Sequence, residues 1–154
     1  MPDAIPTERI LLARRIAVAH RLEPALVCAI IEQESDWDPW AVRYEPRFLS
    51  RYIAPLYTAG KLSATEAYTR SMSWGLMQVM GQTARESGFD GASLVELCDP
   101  AVGVDWGCRI FTTRLTRARG DVAAALLAWN GGGNANYPGE VLARKANYSA
   151  KTTE

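Results

Sequence analysis

The sequence predicts an all-α protein, or nearly so, on three observations. Apolar residues recur at helical spacing along almost the whole chain. Glycine and proline punctuate those stretches at Pro24, Gly88, Pro100, Gly120 and Gly131. No segment alternates convincingly, although Tyr44 or the loop before Trp74 leaves room for a short strand.

Taken in order, Thr7 can cap a first helix with Leu12, Ile16 and Ala19 on one face and Arg14 and Arg15 on another. Pro24 can open a second helix that runs to about Ser35. From Trp37 to Ser73 the pattern is broken by Pro39, Pro46, Pro55 and Gly60, with short helical pieces expected near Arg47–Tyr57 and Ser63–Thr69. Leu76 to Ser87 reads as a helix stopped by Gly88. Asp99-Pro100 starts the next, with Val104, Cys108, Phe111 and Leu115 on one stripe, and Gly120 closes it. Asp121 can cap a helix from Val122 to Trp129, which Gly131-Gly132-Gly133 ends. A final helix is expected from Pro138 to about Ala150.

A chain of 154 residues has room for one well-buried domain, taken here as residues 1–154. The 17 basic and 17 acidic residues cancel, so duplex nucleic acid is not an expected partner. No stretch approaches the roughly eighteen apolar residues of a membrane span. Met1 to Pro6 does not read as a signal peptide. Cys28, Cys98 and Cys108 read as reduced core residues. His20 is the single histidine, which argues against a histidine metal site or a serine triad and leaves the chemistry to carboxylates.

One carboxylate stands out. Val27, Ile30 and Ile31 lie at i, i+3 and i+4, and the next stripe position is Glu34. A carboxyl on a buried stripe is driven towards its neutral form, the form a general acid needs. The plain alternative is an exposed last helical turn, since Trp37-Asp38-Pro39 follows. Two further segments share its character: Ser73-Trp74-Gly75-Leu76-Met77-Gln78-Val79-Met80 and Ala128-Trp129-Asn130-Gly131. Each brings polar side chains to a helix end beside a glycine, where side chains and free backbone groups can face a cleft. Singly, each also reads as a turn, a helix stop or core filling.

Together, in this order, they resemble the lytic transglycosylases and goose-type lysozymes. Those lysozyme-like enzymes cleave the glycan strands of peptidoglycan. The matching residues are Glu34-Ser35, Gly75–Gln78 followed by Thr83-Ala84, and Ala128–Gly131, with Leu97, Asp99-Pro100 and Gly107 as spacer. The resemblance covers roughly residues 24–148 and implies a single lysozyme-like domain with a cleft between helical lobes. It implies Glu34 as the acid that protonates the β-1,4 bond between N-acetylmuramic acid and N-acetylglucosamine, and then as the base that closes a 1,6-anhydro ring. It implies substrate contacts from Gln78, Met80 and Thr83, a cleft-shaping role for Asn130, and a late tyrosine, matched loosely by Tyr148, hydrogen-bonded to the acid. Trp37, Trp40, Trp74 and Trp129 are candidates for stacking on sugars. A hydrolytic route would need a second carboxylate; Asp36, Asp38 and Glu45 are near, and Glu45 is the one to test.

The chain departs from the family pattern at four places. Arg43 follows Ala41-Val42 where a serine is common, Trp129 replaces a tyrosine, Gly81 replaces a proline, and the Tyr44–Ser73 segment is long. The expected function is therefore peptidoglycan cleavage by a monomeric lytic transglycosylase without metal or cofactor. The runner-up is a muramidase, and a non-catalytic glycan-binding module is the rival from another class. The expected setting is a phage endolysin, made in the cytoplasm and acting on the wall after release or delivery.

Overall fold

The computed structural model describes residues 5–149 and is mostly helical, with one small sheet. Helix α1 (Thr7–Ala19) buries Ala13 and Ala17, small residues that let it lie close against its neighbours. Thr7 does not cap it: Pro6 holds the N-cap position, and no side chain satisfies the first amides. Met1 to Ala4, part of the signal-peptide reading, lie outside the described residues.

Helix α2 (Pro24–Ser35) is the centre of the molecule. Pro24 opens it, where a missing N–H and a fixed φ cost nothing. Ala25 to Ile31 are all buried, so the helix is enclosed on every side rather than along one stripe. Each fully buried Val or Ile there contributes about 1.5–3 kcal/mol. From Glu32 onward α2 emerges from the core, which brings Glu34 to an open edge. Cys28 and Cys108 sit unpaired in this core, and burial pushes their thiols up to about 11 and about 12. Neither forms thiolate at neutral pH.

A three-stranded antiparallel sheet forms one side of the molecule: β1 (Val42–Tyr44), β2 (Met72–Trp74) and β3 (Val79–Met80). Val42 pairs with Trp74, Tyr44 with Met72, and Ser73 with Met80. Between β1 and β2 come short helices α3 (Pro46–Phe48), α4 (Ala54–Thr58) and α5 (Ala64–Arg70), with a π-helical turn, Leu49–Ile53, before α4. Ser63 caps α5 by accepting from the Glu66 amide at 3.1 Å. The Tyr44–Ser73 segment is thus a small helical layer.

The helix expected from Leu76 begins only at Gly81, as α6 (Gly81–Glu86). The reason is local: Gly75 (φ +71°) and Gln78 (φ +50°) both adopt left-handed backbone and turn the chain from β2 into β3. A 3-10 turn, Leu94–Cys98, leads to α7 (Pro100–Arg117), capped by Asp99, whose Oδ1 accepts from the Val102 amide at 3.0 Å. Val104, Cys108 and Phe111 are buried as expected, with Leu115 at the edge of the core. Asp121 caps α8 (Val122–Trp129) through the Ala124 amide at 3.0 Å. Helix α9 (Tyr137–Ser149) packs along α2; Ala150, its expected end, lies outside the described residues. Among the described residues no helix is long and apolar enough to cross a membrane.

Candidate active site

Glu34 occupies the last turn of α2, and the chain reverses immediately behind it. Asp36 (φ +49°) and Trp37 (φ +67°) are both left-handed, which ends the helix and turns Trp37 into the core. Such conformations cost about 1–2 kcal/mol per non-glycine residue and persist only where the surroundings fix them. Here the Trp37 indole donates to the Tyr148 hydroxyl at 2.9 Å, and Arg9 donates to the Trp37 carbonyl at 3.1 Å.

Ser35 joins two of the motifs. Its hydroxyl lies 2.8 Å from the Leu76 carbonyl and 3.1 Å from the Ile31 carbonyl of its own helix. The end of α2 is thereby tied to the Gly75–Gln78 turn. That turn is held in return: the Gln78 side-chain amide donates to the Ala41 carbonyl at 2.9 Å and to the Gly75 carbonyl at 3.0 Å. Both of its N–H groups are used, so Gln78 offers the cleft its amide oxygen.

Packing beneath the turn explains its glycine. A Cβ on Gly75 would lie 2.4 Å from the Leu97 carbonyl oxygen. Two glycines of α7 serve the same contact region. Gly103 leaves space for the Leu97 carbonyl and Gly107 for the Met77 side chain.

Two donors converge on one oxygen of Glu34. The Tyr137 hydroxyl donates to Glu34 Oε1 at 2.6 Å and the Trp129 indole N–H at 3.2 Å. Tyr137 is the first residue of α9, and Trp129 is the last of α8, set edge-on against Phe111 at 5.9 Å. Burial raises the Glu34 carboxyl above its ordinary value; the two hydrogen bonds and the nearby Arg43 charge pull the other way without cancelling it. Burial and the Glu34 charge in turn raise the Tyr137 phenol, which therefore acts only as a donor.

Glu34 opens into a cleft of about 340 Å³. Gln78, Met80, Thr83, Trp129, Asn130 and Glu45 all line it, so it gathers all three motifs. Glu45 is held by Arg43, with 2.6 Å between their charged groups. The remaining lining includes Phe48 from the inserted layer and Ile110 and Arg114 from α7. Arg114 Nε is buried without a hydrogen-bond partner, a state that costs about 1–3 kcal/mol.

Several expectations are corrected. Tyr148 does not hydrogen-bond Glu34: its hydroxyl accepts from Trp37, and Tyr137 fills that place. Trp37 and Trp74 are core residues, and the exposed Trp40 lines a separate pocket with Arg9 and Pro100. Asp36 is the left-handed cap of α2, and Asp38 accepts from the Trp40 amide at 2.9 Å; neither lines the cleft. Tyr137, Arg114 and Phe48 were not singled out from the sequence. The one signal for Tyr137 is an aromatic residue directly before Pro138 at a helix start, after a glycine-rich loop.

Two of the departures acquire a physical meaning. Trp129 supplies an indole donor where a phenol is common. Gly81 is needed because a Cβ there would lie 2.3 Å from the Thr69 carbonyl of the inserted layer. Among the described residues no three of His, Cys, Asp and Glu cluster as a metal site.

The family model described as the transglycosylase SLT domain matches residues 12–150. No curated protein and no solved structure matches the chain.

Proposed function

Because the chain belongs to the transglycosylase SLT domain family and so has peptidoglycan lytic transglycosylase-type activity, we propose that it cuts by ring closure, with Glu34 as acid and then base. The proton on the raised carboxyl passes to the oxygen between N-acetylmuramic acid and N-acetylglucosamine, and the C1–O bond breaks. Positive charge develops at C1 of the muramoyl sugar. The carboxylate left behind keeps the Tyr137 and Trp129 donors, which favour its charged form. It then takes the proton of the C6 hydroxyl as that oxygen attacks C1. The product is a 1,6-anhydro sugar, and Glu34 is protonated again.

The observation that carries this reading is that Glu34 is the one unpaired carboxyl lining the cleft among the described residues. Glu45, the other, is bound to Arg43, and Asp36 and Asp38 lie elsewhere. A one-carboxyl site suits a reaction that needs no activated water. A monomer acting as a phage endolysin is the setting we propose.

Muropeptides released from purified peptidoglycan should carry 1,6-anhydromuramic acid, about 18 Da lighter than hydrolysed products by the water not added. Ordinary reducing ends in the mass spectrum would instead favour a muramidase with Glu45 as the second carboxyl.

Tyr137→Phe removes a bond that favours ionised Glu34, so the carboxyl should titrate at higher pH. The alkaline limb of the pH–rate profile should move upward, and kcat should fall roughly tenfold from the loss of one charge-assisted hydrogen bond. An unshifted limb would show that Glu34 is not the group titrating.

A further inference from the structure

Arg114 has chemistry that the cleavage steps leave unused. It sits on α7 four residues beyond Ile110, and both line the same cleft as Glu45 and Phe48. Among the described residues it makes no side-chain hydrogen bond or ion pair, and its Nε is buried without a partner. Other half-buried arginines of the chain are engaged: Arg9 and Arg14 on backbone carbonyls, Arg70 and Arg85 on Glu66. The arginines without such a side-chain partner, Arg15, Arg117 and Arg119 among them, are exposed to water.

The charge balance of the cleft gives Arg114 its direction. Arg43 is neutralised by Glu45. Glu34 enters the reaction protonated, so Arg114 leaves the cleft with one uncompensated positive charge. A half-buried guanidinium of this kind is a ready partner for a carboxylate, which it can hold through two parallel hydrogen bonds. The sugar rings of the glycan are neutral. The carboxylates that accompany them hang from the muramoyl 3-O-lactyl group, either as its own free carboxylate or on a peptide stem attached to it.

Resting on the function proposed above, we infer that Arg114 binds a carboxylate on the muramoyl substituent and makes the enzyme selective for anionic glycan. Arg114 is a specificity residue; Glu34 carries out the bond cleavage without it.

The test compares wild type and Arg114→Gln on three strand preparations. One carries stem peptides, one has been stripped to free lactyl carboxylates, and one has been stripped and its lactyl carboxylates converted to neutral methylamides. The variant should show KM raised about tenfold on carboxylate-bearing strands, from the lost charge-assisted pair, with kcat and the neutral strands unaffected. A rise confined to stem-bearing strands assigns the stem carboxylate; a rise on stripped strands assigns the lactyl one. An equal loss on neutral strands, or none on any, overturns the inference.

Wild type that cleaves none of the three overturns the proposed function itself, and this inference with it. Wild type that cleaves them all, with an indifferent variant, removes Arg114 alone. Should the Gln variant fail to fold, Arg114→Lys keeps the charge but loses the planar fork. It should show a smaller rise with the same dependence on substrate, and a rise independent of substrate overturns the inference.

Discussion

Glu34→Gln should lose glycan cleavage by at least 10²–10⁴-fold, roughly the contribution of a positioned acid–base group, and yet be more stable than wild type at neutral pH. The first half follows because, among the described residues, no second free carboxyl lines the cleft to take over. The second follows from linkage. The Glu34 pKa is raised in the folded protein, mainly by burial. Its contribution to stability is therefore fully present below the unfolded carboxyl value of about 4.3, and is lost as pH rises through the folded value. Glutamine does not ionise and keeps an oxygen to accept from Tyr137 and Trp129. Thermal unfolding should show the variant's advantage at pH 7 and its disappearance below about pH 4. A less stable variant at pH 7 would mean that the carboxylate is a structural asset, and the acid assignment would lose its physical basis.

Gly75→Ala should be the most damaging small change in the turn behind the cleft. Two costs combine: a left-handed backbone at φ +71°, and a Cβ placed 2.4 Å from the Leu97 carbonyl oxygen. Left-handed strain costs about 1–2 kcal/mol and overpacking about 1–3 kcal/mol, together about 2–5 kcal/mol. For a chain of this size that lowers Tm by on the order of 10 °C. Gly131→Ala is the control, because it shares a left-handed φ (+77°) but meets open space. It should lose only the backbone share. Equal losses in the two variants, measured by thermal unfolding, would show that the contact with Leu97 is unimportant. Activity should fall with Gly75→Ala even where the protein remains folded, because the Leu76 carbonyl accepts from the Ser35 hydroxyl next to Glu34.

The helical class of the fold was legible because its signals are local. Pro24, Asp99, Asp121 and the glycines mark helix ends by backbone chemistry that tertiary packing does not override. The helix expected from Leu76 failed for the opposite reason. Nothing in Leu76-Met77-Gln78 forbids a helix, and only the seating of Gly75 on Leu97 and the pairing of Val79 and Met80 with β2 rule it out. In the site, Glu34 was legible because a charge interrupts an apolar stripe. Tyr137 was not, since the hydroxyl that reaches Glu34 comes from 103 residues away. Tyr148 is identical in type, but it stands about three helical turns further along α9, where its hydroxyl meets Trp37 instead. Arg114 gave no signal, because a helical arginine looks solvated until its surroundings are known.

Gly81 and the inserted layer are two departures with one cause. Thr69, in α5, brings its carbonyl to where any side chain at position 81 would stand, so neither feature is compatible with the usual form of the other. Grafting the Tyr44–Ser73 segment onto a relative with proline at the corresponding position would import a collision, while trimming it from this chain would strand a flexible residue at the start of α6. The rim of the cleft is in this sense a part with a single matching socket, and the two features exchange only together.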